Sequence, residues 1–69
     1  MGNWRKIFST EREYRAEIVK EVLTAKGITS IIVNKQDSSY KNFGMYEVHV
    51  MPDDAIKAIK IIEDDIRFD

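Results

Sequence analysis

The stretch TEREYRAEIVKEVLTAKG, residues 10–27, decides the fold. Its apolar residues recur with the period of an α-helix and would scatter over both faces of a strand. They are Tyr14, Ile18, Val19, Val22 and Leu23. Thr10 and Glu13 have the spacing of a capping box, although Ser9 is a rival cap, and Gly27 can take the left-handed conformation that ends a helix. We predict an amphipathic helix over residues 10–27, with this apolar stripe facing the core.

Three short runs around this helix have the composition of β-strands. They are residues 3–8, 28–34 and 45–50. Strand periodicity puts Trp4, Lys6 and Phe8 on one face of the first run. The last run alternates cleanly, so that Val48 lies on an apolar face and His49 on a polar one. We expect the second and third runs to form a hairpin with a long connection.

A second amphipathic helix is expected after Pro52, which suits the first turn because it has no N–H to lose there. Its apolar residues are Ile56, Ile59, Ile62 and Ile66. The order is therefore β-α-β-β-α in an α+β fold, with two helices on one face of a three-stranded sheet. Crossover handedness puts the third strand between the other two, as in a ferredoxin-like sheet. The fourth strand is short, at residues 66–68, or absent, which leaves the first strand with a free edge.

Composition limits the class of protein. Sixty-nine residues make one domain, residues 1–69, near the lower size limit for a self-sufficient core, so self-association would add buried surface. The chain has no cysteine and carries 11 basic against 12 acidic residues, with the signs interleaved. We therefore expect no disulfide and no nucleic-acid partner. No apolar run is long enough to predict a membrane span, and we expect a cytoplasmic protein.

The chain resembles a family of small bacterial domains described as prokaryotic signal-transducing proteins, formerly a domain of unknown function. The matching segments are WRKIFS, AEIVKxxLxxxGI, VNK, a polar loop with Ser38 and Ser39, and EVHVMPDDA, between residues 4 and 55. The resemblance implies a ferredoxin-like topology similar to that of nitrogen-regulatory PII proteins. In those proteins the connection between the second and third strands is the regulatory loop, and its equivalent here is residues 35–44.

Two sets of candidate site residues follow. The 35–44 loop carries aromatic and basic groups that could hold a partner or small ligand. Its candidates are Lys35, Ser38, Tyr40, Lys41 and Phe43. A sheet face or edge that meets another copy could use Trp4, Lys6, Phe8 and His49. The alternative for the aromatic loop residues is a local lid over the sheet. For Trp4 it is a place in the core, and for His49 a plain surface position.

No catalytic constellation is visible. His49 is the only histidine, no cysteine accompanies it, and no serine has elbow glycines, so we predict no catalytic residue, metal site or cofactor. The function predicted is a non-catalytic signalling or regulatory module that forms a homodimer or binds a protein partner. The alternative is a sensor of PII type, with a nucleotide or metabolite near the 35–44 loop.

Overall fold

The structure, a computed structural model, describes residues 3–35 and 45–66. Its elements are β1 (Arg5–Thr10), α1 (Glu13–Ala25), β2 (Ser30–Lys35), β3 (Met45–Val50), a 3₁₀ turn (Pro52–Asp54) and α2 (Ala55–Asp65). The order is β-α-β-β-α around a three-stranded sheet. The α+β, ferredoxin-like fold predicted from the sequence is confirmed.

The sheet has the strand order β1-β3-β2, which confirms the predicted position of the third strand. Both neighbouring pairs are antiparallel, so β1 and β2 run parallel to each other without touching, as the crossover through α1 requires. The described residues therefore leave two sheet edges, one on β1 and one on β2. Only the edge of β1 was expected from the sequence.

A register shift in β1, between Lys6 and Phe8, changes which way the strand points its side chains. Lys6 lies opposite His49, whereas Phe8 lies opposite Val48. Because successive residues of β3 point to opposite faces, Lys6 and Phe8 also lie on opposite faces. The prediction that these two side chains share a face is wrong, since the extra residue, Ile7, breaks the alternation. Ile7 and Phe8 both pack against the core.

The start of α1 also differs from the prediction. Thr10 is the last residue of β1, where it pairs with Tyr46, and α1 begins three residues later at Glu13. The Thr10 hydroxyl accepts a hydrogen bond of 3.1 Å from the backbone N–H of Arg12. Arg12 is the N-cap, and no side chain among the described residues caps the helix. The predicted Thr10–Glu13 capping box is therefore wrong, because the ladder with β3 holds Thr10 in an extended conformation.

The end of α1 confirms the predicted role of Gly27. Its φ is +84°, in the left-handed region. The N–H of Gly27 donates to the carbonyl of Thr24 and that of Ile28 to the carbonyl of Leu23, both at 2.9 Å. These two bonds make a Schellman motif. Leu23 and Ile28 are both buried, so the motif ends the helix and directs the chain into the core.

One small hydrophobic cluster joins both helices to the sheet. Its buried members are Ala16, Val19, Leu23, Ile28, Val48, Val50 and Ala58. In α1 the buried stripe runs through Ala16, Val19 and Leu23, whereas Tyr14 is 55% and Ile18 41% exposed. The predicted burial of Tyr14 and Ile18 is wrong. The helix is turned so that the small side chain of Ala16 faces the sheet, which lets the backbone come close.

The second helix follows the predicted pattern only in part. Pro52 opens the 3₁₀ turn, and α2 buries Ala58 while Ile56 remains 83% exposed. Its last residue, Asp65, lies 3.2 Å from the ammonium of Lys26, an ion pair that ties the two helix ends together. The possible strand at residues 66–68 falls mainly on residues 67–69, which lie outside the described part of the chain.

Candidate interaction surface

Both helices pack on the side of the sheet that carries Val48 and Val50. We name the opposite side the far face. Residues paired across an antiparallel ladder share a face, which assigns each side chain. His49 lies opposite Lys6 on β1 and Ile31 on β2, so these three side chains share a face. Alternation along each strand assigns the other residues of the far face in the same way. The far face comprises Lys6, Ser9, Ile31, Val33, Lys35, Met45, Glu47 and His49.

A hydrogen-bonded pair of ionisable groups lies at the centre of the far face. Alternation along β3 puts Glu47 and His49 on the same face, two residues apart. His49 Nε2 lies 3.0 Å from Glu47 Oε1. Because a carboxylate only accepts, the Nε2 atom donates, which sets the tautomer of the neutral ring. Lys6 Nζ lies 3.9 Å from the other carboxylate oxygen.

These contacts stabilise the charged form of Glu47. The hydrogen bond from His49 is the largest cause that holds the pKa of the Glu47 carboxyl below its ordinary value. Electrostatic interactions with Lys35, Lys6 and His49 act in the same direction, and desolvation opposes them. Only 15% of the Glu47 side chain and 17% of the His49 side chain are exposed. The two groups are thus partly withdrawn from water and already satisfy each other.

Apolar side chains flank this pair on the β2 side and along β3. Ile31, Val33 and Met45 are each half-buried on the far face. Trp4 and Met51 come next in register beyond the pair Arg5–Val50, at one end of this face, and they are 37% and 40% exposed. The far face is therefore a mixed surface: apolar side chains lie beside the pair on β2, and Lys6 and Ser9 lie beside it on β1.

The predicted interface residues separate into two groups. Lys6 and His49 lie on the far face, and each contacts Glu47. Trp4 lies at one end of the far face. Phe8 packs against the core on the other side of the sheet. Glu47, Val33 and the methionines were not predicted as site residues, although the alternation of β3 could have indicated Met45 and Glu47. Their role at an interface remains a prediction.

Most of the predicted ligand loop falls outside the described residues. This applies to Ser38, Tyr40, Lys41 and Phe43. Lys35 is the exposed last residue of β2, and its charge contributes to the lowered pKa of Glu47. The hypothesis of a nucleotide or metabolite sensor therefore remains a prediction. Thermal-shift measurements with such compounds test it, because a ligand at a hundred times its Kd adds about 2.7 kcal/mol of stability.

Residues 3–35 and 45–66 contain neither a cluster of metal ligands nor a membrane-spanning helix. Within these ranges, no three His, Asp or Glu side chains converge as metal ligands would. Neither helix in the same ranges has the length and apolar character needed to cross a membrane.

The fold defines a small α+β module, and the far face is its candidate interaction surface. The chain belongs to the family described as "Putative prokaryotic signal transducing protein", whose family model matches residues 4–65. Comparison with curated proteins and with solved structures gives no significant match. The resemblance stated from the sequence is confirmed, and the family description concerns signalling.

Proposed function

We propose that this protein is a non-catalytic signalling or regulatory module that associates with a second copy of itself through the far face. One observation carries the proposal: both helices join the same core cluster, and the sheet turns Ile31, Val33 and Met45 away from it. We also propose that the protein acts in the cytoplasm.

The small size of the core supports self-association. Only four large side chains in the described residues are completely buried, namely Leu23, Val19, Val48 and Val50. A chain of this length buries about 60% of the surface that its unfolded form exposes, so its own core gives limited stability. Two sheets that pack face to face, about 10 Å apart, would bury a second set of apolar side chains.

The charged centre of the far face is compatible with burial. Unpaired charges are costly to remove from water, but Glu47 already has His49 and Lys6 as partners. A two-fold symmetric partner would bring the same arrangement to the interface, as isologous dimers require. The pair would then fix the register of the two sheets, while the apolar groups around it supply most of the association free energy.

The far face is a better candidate for dimerisation than the edge of β1, which the sequence analysis kept as an alternative. The register shift between Lys6 and Phe8 makes β1 irregular, and bulges of this kind protect edges against pairing. In addition, β1 is already in contact with α2. We therefore place the second copy on the face of the sheet.

Light scattering coupled to size-exclusion chromatography tests this proposal. At tens of micromolar, we expect a particle with twice the chain mass of 8.1 kDa. Val33→Lys, on the far face, should give the monomer mass. Ile56→Lys, on the exposed side of α2, introduces the same charge and should leave the dimer intact.

Two results contradict the proposal. One is a wild-type protein that is monomeric over the whole concentration range. The other is dissociation by Ile56→Lys but not by Val33→Lys, which would place the interface on the helices. Circular dichroism of both variants, and a second far-face variant, Trp4→Ala, distinguish dissociation from unfolding.

A further inference from the structure

A groove lies beside the free edge of β2, between that strand and one side of α1. Its lining residues are Glu17, Lys20, Glu21, Thr24, Ala25 and Ile32. The groove has a volume of about 670 Å³. None of its lining residues belongs to β3, so it opens on the outer side of β2 and on the helix side of the sheet. It is therefore separate from the far face, and a function for it does not depend on self-association.

The edge of β2 beside this groove is suited to pair with another strand. All six residues of β2 pair with β3 in continuous register, without the shift that interrupts β1. In an antiparallel ladder, alternate residues point their N–H and C=O groups away from the neighbouring strand. Such unpaired groups on a regular edge form a template for an added strand. Ile32, half-buried on the helix side, would lie next to a side chain of that strand.

The helical wall of the groove carries unpaired negative charge. Glu17 and Glu21 are four residues apart, so they are neighbours of like charge on one side of α1. Within the described part of the chain, neither carboxylate has a basic group within 4.0 Å. Lys20 is the one cation among the lining residues. A positive group placed between Glu17 and Glu21 would relieve their repulsion.

We propose that this groove binds an extended peptide segment of a partner protein, which adds to the edge of β2 as a further strand. Addition of a strand to a sheet edge combines backbone hydrogen bonds with side-chain contacts at alternate positions. One apolar side chain of the peptide contacts Ile32. A Lys or Arg two positions away, on the same side of the strand, pairs with Glu17 and Glu21.

A second copy of this chain fits the groove poorly. Two-fold pairing of β2 with itself keeps the helix sides of both sheets together, and the residues of β2 on that side are Ser30, Ile32 and Asn34. None of these is basic, since Lys35 lies on the far face. The same pairing would bring the Glu17 and Glu21 carboxylates of two α1 helices towards each other. The charge of the groove therefore favours a basic peptide.

Selection from a phage-displayed library of random peptides about eight residues long tests the proposal. The wild-type protein should enrich sequences that have an aliphatic or aromatic residue and a Lys or Arg two positions apart. Glu17→Lys with Glu21→Lys should bind the enriched peptides at least about tenfold more weakly and should select acidic sequences instead. The matched control, Glu11→Lys with Glu63→Lys, changes the net charge equally and should behave as the wild type.

Amide hydrogen exchange with one enriched peptide tests the mode of binding. Alternate amides of β2 should exchange more slowly when the peptide is bound. Failure to enrich any sequence, or equal affinity for the Glu17→Lys, Glu21→Lys variant, would overturn the proposal. If that variant instead changes the particle mass in light scattering without peptide, a second copy occupies the groove and the peptide assignment is wrong.

Discussion

The orientation of α1 predicts very different effects for two substitutions that remove the same number of carbon atoms. Leu23 is completely buried, whereas Ile18 is 41% exposed on the opposite side of the same helix. Leu23→Ala should lower the free energy of unfolding by about 2.7–5 kcal/mol, because it removes buried methyl groups and leaves a cavity. A domain of 69 residues has a total stability of roughly 3–10 kcal/mol. The Leu23→Ala variant should therefore be marginally folded.

Ile18→Ala should cost about 1 kcal/mol or less. The side chain is only partly buried, and alanine has the higher helix propensity, which offsets part of the lost contact. Urea denaturation, followed by circular dichroism and by the fluorescence of Trp4, measures both values. Each variant should be measured at two protein concentrations, so that an effect on self-association appears as a concentration dependence.

An equal or larger loss for Ile18→Ala at both concentrations would refute the described orientation of α1. It would mean that Tyr14 and Ile18 face the core, as the spacing of apolar residues predicts.

Three further predictions concern single positions. Gly27→Ala should lower the free energy of unfolding by about 1–2 kcal/mol in urea melts, because φ is +84°, whereas no atom of the described residues lies within 4 Å of the added Cβ; Gly27→Asn should recover part of this loss. Ser30→Ala should leave stability unchanged or raise it by up to about 1 kcal/mol in the same melts, because the buried Ser30 hydroxyl has no hydrogen-bond partner within the described chain, and a clear loss would reveal a partner. The pKa of Glu47 in the folded protein is below its reference value of 4.5, so the charged carboxylate stabilises the fold above pH 4.5, and this stabilisation is lost as the pH falls through the folded-state pKa. Urea melts from pH 7 to pH 3 should show the loss, and Glu47→Gln should remove the part of it that Glu47 causes.

The elements of the fold could be predicted because their signals are local. Helical periodicity between residues 10 and 27, the left-handed Gly27 and the alternation of β3 all appear in short segments. The strand order followed from the handedness of crossovers, which needs no side-chain detail. These features fix which elements form and how they are connected.

The errors arose where distant residues determine the outcome. Thr10 has the spacing of a helix cap, but its pairing with Tyr46 keeps it in the strand. Ala16 carries little weight in an apolar pattern, yet a small residue lets the helix approach the sheet closely and so determines which side is buried. The register shift after Lys6 has no signal in the sequence of β1, because it is defined only against β3.

The candidate site, like the fold, could be predicted only where its signals are local. The sequence named Lys6 and His49, but their contact with Glu47 depends on the pairing of two strands that are far apart in the chain. The edge of β2 was not predicted. The expected loss of a fourth strand pointed only to the edge of β1, because that strand would have paired with β1. The groove beside β2 depends on which side of α1 faces the sheet, and the apolar pattern predicted that side incorrectly.

Isotope-filtered nuclear Overhauser spectra of a mixture of labelled and unlabelled protein test most directly whether the far face meets a second copy. The proposed dimer predicts intermolecular contacts among the side chains of Val33, Met45 and His49, with further contacts from Trp4 or Met51. Intermolecular contacts confined to Tyr14, Ile18 or other exposed positions on the helices would contradict it, as would the absence of any intermolecular contact at millimolar concentration.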